Sequence, residues 1–233
     1  MNNAAREAIL GSIRSNLARS VADDGNPVHR EDPVILAKKA PAATLVNLFK
    51  DNLESVNGHC IIADSESEIA RALTTIISTL RAQRIALSDT PSIERIMYMT
   101  DLEIEELAIA PSASEIFSFD VGISTAQAAI ADTGTLVLDS AYERNRLVSL
   151  VPPVHIAIVD ASCIVETLGE ALTLLRKDNE ISPAVTFITG PSRTADIELT
   201  LAIGVHGPQE LFVIINKESQ GVVLGRVGSE FSL

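Results

Sequence analysis

The stretch ITGPSRTADIELTLAIGVHGP, residues 188–208, gathers two Gly-Pro pairs, an arginine between two hydroxyl side chains, two carboxylates and a histidine. These types can hold an anion. Gly190 lets the backbone turn sharply or approach a ligand closely, and Ser192, Thr194 and exposed backbone N–H groups offer donors. Arg193 can add two parallel hydrogen bonds to a carboxylate or phosphate. The same residues also fit a plainer role, with Ser192 or Thr194 capping a helix or turn and Arg193 paired with Asp196 or Glu198 on the surface. His206, before Gly207 in GVHGP, can shuttle a proton or bind an anion from a loop apex, or simply be a hydrogen-bonded loop residue.

Two further places carry reactive groups. In DTGT, residues 132–135, Thr133, Thr135 and the backbone opened by Gly134 can cradle an anion, and Asp132 can act as a base or orient a hydroxyl. Turns also demand Asp and Gly for their own conformation. In YERNRLVSLVPP, Glu143, Arg144 and Arg146 bracket a polar turn next to apolar segments, where they form either a solvated face or part of a site. A hairpin folded over the sheet edge would turn these arginines toward the loop of Arg193.

The elements that must position these groups follow from periodicity. Helical patterns (TLVNLFKDNLESV, SESEIARALTTIISTLRAQ) alternate with short apolar runs (HCIIAD, RIALS, LAIA) that suit buried strands, the mark of βαβ units and a mostly parallel sheet flanked by helices. AAIADTGTLVLDSA differs: two β-prone runs meeting at a turn cluster predict an inserted β-hairpin, a local antiparallel element set into the doubly wound sheet. Beyond it the pattern predicts a strand (VHIAIVD), a helix (SCIVETLGEALTLLRK) and strands AVTFIT and LFVIIN. AVTFIT should end at the carboxyl edge of the sheet, where open α/β sheets bind ligands, with GPSR directly after it. Residues 1–43 read as a helix on a Pro-containing connector, 44–216 as the α/β domain, and 217–233 as an extension.

Composition removes several function classes. A formal charge of −13, from 31 acidic and 18 basic side chains, opposes nucleic acid and anionic membrane surfaces. Two cysteines, Cys60 and Cys163, cannot by themselves build a disulfide framework or a Cys-rich zinc or iron–sulfur site, so no metal site is expected. There is no Gly-x-Gly-x-x-Gly after the first strand, no Walker lysine, no His-Glu-x-x-His and no Gly-x-Ser-x-Gly elbow. The N-terminal segment alternates charges with Ile9, Leu10, Ile13 and Leu17 and is neither a signal peptide nor a membrane span, which points to the cytoplasm.

Taken together, ADTGTLVL, ERNRLVSLVPPVHIAIV and above all GPSRTADIELTLAIGVHGP resemble the lactate utilization protein C family, whose members consist of a LUD domain. The resemblance runs over roughly residues 60–216, and departs from the usual pattern at PPVHI and in the longer tail. It implies a fold similar to the ribose-5-phosphate isomerase, glucosamine-6-phosphate deaminase and CoA-transferase group. It also implies a place in a three-protein system that oxidises L-lactate to pyruvate, with iron–sulfur clusters in the partner proteins and no cofactor in this chain. Matched to the family pattern, Thr133, Gly134 and Thr135 fall in its hairpin loop, and Glu143, Arg144 and Arg146 in its charged turn. Ser192, Arg193, Thr194, Asp196, Glu198, His206 and Gly207 fall in its C-terminal string.

Two functions from different classes follow. In one, the chain is an accessory, anion-binding subunit that docks on iron–sulfur proteins, since two cysteines cannot supply the redox centre that lactate oxidation needs. In the other it is a stand-alone isomerase- or CoA-transferase-like enzyme on a small phosphorylated or carboxylated metabolite. There Asp132, Asp196 or Glu198 would move a proton while Arg193 and the hydroxyls hold the anion.

Overall fold

A computed structural model of the 233-residue chain describes residues 3–21, 41–175, 182–195, 201–203 and 207–218. Two compact units result, Met1–Lys39 and Ala40–Leu233. The first contains helix α1 (Asn3–Val21), whose Ile9 and Ile13 share one face by their spacing of four. No helix among the described residues is long and apolar enough to cross a membrane.

The second unit begins with α2 (Ala42–Ser55), β1 (His59–Ala63), α3 (Glu66–Leu80), β2 (Arg84–Leu87), α4 (Pro91–Tyr98), β3 (Glu106–Ile109) and β4 (Val121–Thr125). The starts of α3 and α4 are written locally. The Ser65 hydroxyl accepts from the backbone N–H of Glu68, while the Glu68 carboxylate accepts from the N–H of Asp64, occupying donors that a helix start leaves free. Pro91 opens α4, where its missing N–H costs nothing. A hairpin follows, β5 (Ala128–Ile130) and β6 (Thr135–Asp139), then α5 (Leu147–Leu150), β7 (Val154–Asp160), β8 (Ile164–Val165), α6 (Leu168–Leu175), β9 (Val185–Ile188), the antiparallel pair β10 (Arg193–Ala195) and β11 (Leu201–Ile203), and β12 (Glu210–Asn216).

Six strands form one sheet in the order β1-β12-β7-β4-β2-β3, with every pairing parallel. Alternation along the strands sends Ile85, Leu87, Ile123, Ile156, Ile158 and Ile214 to one face, under Ile69, Leu73 and Ile77 of α3 and Ile93 and Ile96 of α4. On the other face Ala157, Val159, Val213 and Ile215 meet Phe49 and Leu53 of α2 and Leu136 and Leu138 of β6. Burying Phe49 and Leu53 completely contributes about 1.5–3 kcal/mol each.

The expected α/β architecture is thus present, with one difference in where the hairpin goes. It joins a second sheet, β8-β5-β6-β9, laid against the face of the parallel one rather than set into it. The outer side of that sheet, Ala128, Ile130 and Val137, is covered by Ala171 and Leu175 of α6. AVTFIT, expected in the parallel sheet, is β9, an edge strand antiparallel to β6. The reason is in its residues: Thr186 and half-exposed Phe187 suit an edge, whereas the unbroken apolar core of LFVIIN suits the two-sided burial that β12 receives between β1 and β7. The helix expected from Ser162 starts at Leu168, because Ala161–Cys163 turn and Ile164–Val165 pair with β5.

Candidate functional site

At the carboxyl edge of the parallel sheet the connections of two neighbouring strands part. From β2 the chain passes to α4 on one face, and from β4, the neighbour of β2, it passes to the hairpin sheet on the other. Strand ends at such a divergence open a crevice, the usual ligand position in α/β sheets. Ser88 and Thr90 follow β2 there, and Thr125 ends β4.

Glu143 enters this crevice from the connection between β6 and α5. Its backbone N–H donates to the Asp139 carbonyl at 2.8 Å, a turn that drives the side chain inward, and the residue is only 1% exposed. One carboxyl oxygen, Oε1, collects the donors: the Thr125 N–H at 2.8 Å, the Thr125 hydroxyl, and the Ser88 hydroxyl at 3.3 Å. Gln127 Nε2 donates to the Thr125 hydroxyl at 3.1 Å and Gln127 Oε1 accepts from the Asp139 N–H at 2.8 Å, so the network is polarised toward Glu143. The other oxygen, Oε2, is buried with no hydrogen-bond partner. Burial raises the Glu143 carboxyl above the ordinary carboxylate range, against the opposing pull of the Thr125, Ser88 and Thr90 hydrogen bonds.

Arg144 and Arg146 follow Glu143 on the segment that leads to α5, and both are exposed. Among the described residues neither forms a salt bridge. Between them Asn145 anchors the segment by donating from Nδ2 to the Pro111 carbonyl at 2.8 Å. Further along the same edge, Asn216 Nδ2 donates to Asp160 Oδ1 at 2.8 Å, both residues being buried at the ends of β12 and β7.

The remaining sequence candidates gather at the opposite, amino edge. The Ser192 N–H donates to the Pro208 carbonyl at 2.8 Å, just ahead of β12, and a Cβ on Gly207 would stand 3.1 Å from the Ser192 side chain. Exposed Arg193 donates from Nη2 to the Val56 carbonyl at 2.9 Å, ahead of β1. Gly190, at φ 80°, lies so close to Val56 that a Cβ would stand 2.9 Å from its carbonyl oxygen. The DTGT turn is beside them: Thr133, Thr135 and Thr189 hydroxyls form a chain with two 2.7 Å links. Gly134, at φ 61°, packs on the end of α2, where a Cβ would meet Leu53 N at 2.3 Å, and Asn52 Nδ2 donates to the Ala131 carbonyl at 2.8 Å. Asp132 is exposed on this turn. The geometry therefore unites the DTGT turn with the GPSR loop, through hydroxyls and the end of α2, and sets both apart from Glu143. The backbone of Thr194 lies in β10, while Asp196, Glu198 and His206 lie outside the described residues.

Sequence reasoning missed Ser88, Thr90, Thr125 and Gln127. The available signal was a hydroxyl directly closing an apolar run, as in RIALS and VGIST. It also missed a buried pair on the hairpin-facing side of the parallel sheet, Ser124 and His155, whose Oγ and Nε2 are 2.8 Å apart. Among the described residues no three His, Cys, Asp or Glu side chains are grouped to hold a metal. Both cysteines are free, and burial pushes the thiols up, Cys60 to about 12 and Cys163 to about 11.

Comparison with known proteins gives one family, three relatives and one solved structure. The LUD domain family model matches residues 46–215. An uncharacterised protein of Neisseria meningitidis serogroup B is 40% identical over 137 residues, 56% of this chain and about half, 54%, of that relative. A lactate utilization protein C of an Exiguobacterium species is 36% identical over 234 residues, covering 90% of this chain and 95% of its own, and the like-named protein of Oceanobacillus iheyensis is 27% identical, covering 90% and 97%. Among solved structures, a DUF162 family protein from Deinococcus radiodurans has a similar fold, with a TM-score of 0.56 at 21% identity over 76% of this chain and 99% of that one.

Proposed function

This chain belongs to the LUD domain family, and from that premise we propose that it works in L-lactate utilization as a non-redox subunit that holds a small carboxylate for iron–sulfur partner proteins. The family relatives named lactate utilization protein C support the process. The observation that carries the binding role is the buried Glu143 carboxyl at the parting of β2 and β4, followed in the chain by two exposed arginines without salt bridges. In a chain of net charge −13, two such guanidiniums beside a polar crevice favour a small anion. Lactate and pyruvate are anions of that size. Oxidation of lactate needs an electron acceptor, and on this reading the clusters of the partner proteins accept the electrons while this chain holds none. The proposed setting is the cytoplasm.

The experiment is affinity capture of the tagged full-length chain from its host grown on L-lactate, with the eluate assayed for lactate-dependent dye reduction. Cysteine-rich partners that co-purify with that activity are the expected result. A chain that elutes alone and by itself turns over a sugar phosphate or an acyl-CoA would overturn the accessory role in favour of an independent enzyme.

A further inference from the structure

The two oxygens of the Glu143 carboxyl are treated unequally. The Thr125 N–H and the Thr125 and Ser88 hydroxyls all donate to Oε1, and the Thr90 hydroxyl lies against the carboxyl as well. The Thr125 oxygen accepts from Gln127 Nε2, which leaves its own hydrogen for Oε1, and the Ser88 and Thr90 hydroxyls lie 3.2 Å apart beside it. Oε1 is thereby held in the carbonyl role. Oε2, sealed from solvent and without a partner, is the oxygen left to carry a proton, and nothing in the described protein accepts it. A buried O–H without an acceptor costs about 1–3 kcal/mol, a cost that a bound acceptor removes.

We infer that Glu143 acts as a neutral carboxylic acid whose Oε2–H donates a hydrogen bond to the 2-oxygen of a small 2-oxo acid, so that the crevice selects such acids over ones lacking that oxygen. The inference rests on the reading that the carboxyl edge holds a small carboxylate. The acid's carboxylate takes the cationic side supplied by Arg144 and Arg146, and its carbonyl oxygen takes the inner side at Oε2. Entry displaces half-exposed Thr90, whose hydroxyl lies against the carboxyl. The position of Oε1 among donors also settles what a glutamine would do there. Its amide oxygen would keep those donors and its NH2 would point where Oε2 stands, a donor at every pH.

The charged and titratable groups on the surrounding elements are Asp89 after β2, Asp139 at the end of β6, and Tyr142, Arg144 and Arg146 on the same connection. Whatever charge they carry acts alike on any monocarboxylate ligand, so a ratio of two monocarboxylates removes it.

The test is calorimetric titration of the full-length chain with pyruvate and with acetate from pH 5 to pH 8, on the wild type, Glu143→Gln, and the double variant Arg144→Ala/Arg146→Ala. The expected wild type prefers pyruvate at low pH and loses the preference about tenfold per pH unit once Glu143 ionises. Glu143→Gln keeps the preference and makes it independent of pH. Isotope-edited infrared spectroscopy of the wild type should show a protonated carboxyl band that Glu143→Gln lacks. A preference that falls with pH equally in Glu143→Gln overturns the inference, as does a wild type without a protonated carboxyl band at pH 5. If both acids bind alike and the double arginine variant weakens both, the carboxylate site stands and the role of Glu143 fails. If neither acid binds the folded wild type, the site reading falls, and the inference with it.

Discussion

The imidazole of His155 is wholly buried between strands, with Nε2 2.8 Å from the Ser124 hydroxyl and Nδ1 facing no partner. Burial alone depresses its pKa from 6.5 to about 3. The folded protein therefore keeps His155 neutral where the unfolded chain protonates it. This penalty is absent above pH 6.5 and grows as pH falls from 6.5 toward 3, by about 1.4 kcal/mol per unit. Denaturant titrations of the wild type and His155→Gln between pH 7.5 and 4.5 should diverge with that slope. Parallel pH profiles would place an anion or proton acceptor beside Nδ1 that the described residues do not supply.

Glu143 has the opposite sign. Its folded carboxyl is raised above the value of 4.5, so the folded state binds its proton more readily than the unfolded chain. Its stabilising contribution is full below pH 4.5 and is lost as pH rises through the folded value. Relative to Glu143→Gln, the wild type should gain stability on acidification from pH 8 to pH 4.5, and the variant should be at least as stable at pH 8. Thermal melts of both proteins across that range test the sign.

Gly122 is the point where α5 crosses the sheet. A Cβ there would stand 1.9 Å from the Val148 carbonyl oxygen, closer than any side-chain adjustment can relieve. Gly122→Ala should cost about 3 kcal/mol or more, or prevent folding, and should disturb the connection that carries Glu143. An unchanged melting temperature would mean that α5 lies elsewhere.

The two groups of candidate residues stand at opposite ends of strands of five to seven residues, on the order of 15–20 Å apart. A three-carbon acid cannot span that distance. Arg144→Ala/Arg146→Ala should therefore weaken pyruvate binding at least tenfold, while Arg193→Ala leaves it unchanged and lowers stability by less than about 1 kcal/mol, because Arg193 is exposed and donates to one carbonyl. Equal losses in both variants would place a second anion at the amino edge, beside the Thr133, Thr135 and Thr189 hydroxyls.

Much of the fold was legible because it is local. The Phe49 and Leu53 stripe, the Ser65 start of α3 and the apolar runs of β1, β7 and β12 each announce themselves within a few residues. Partner choice was less legible. AVTFIT reads as a strand, but its pairing with β6 depends on which edges are free after β12 has entered between β1 and β7. Of the candidate site, Glu143 was visible as part of a charged turn, yet its burial was not, since that follows from the backbone turn at Asp139 and the distant ends of β2 and β4. Ser88 and Thr125 are ordinary hydroxyls in sequence and acquire meaning only when the sheet brings them together.

The place of β12 bears on how the chain is made. Among the described residues β1 is joined to the parallel sheet only through β12, the last described strand, so the ribosome emits roughly 150 residues between the two partners. At about 5–20 residues per second, β1 waits on the order of ten seconds or more with an unpaired, largely apolar edge. The nascent chain thus carries this exposed edge until residues 210–216 emerge, and a stop before residue 210 would leave β1 and β7 without the strand that separates and joins them.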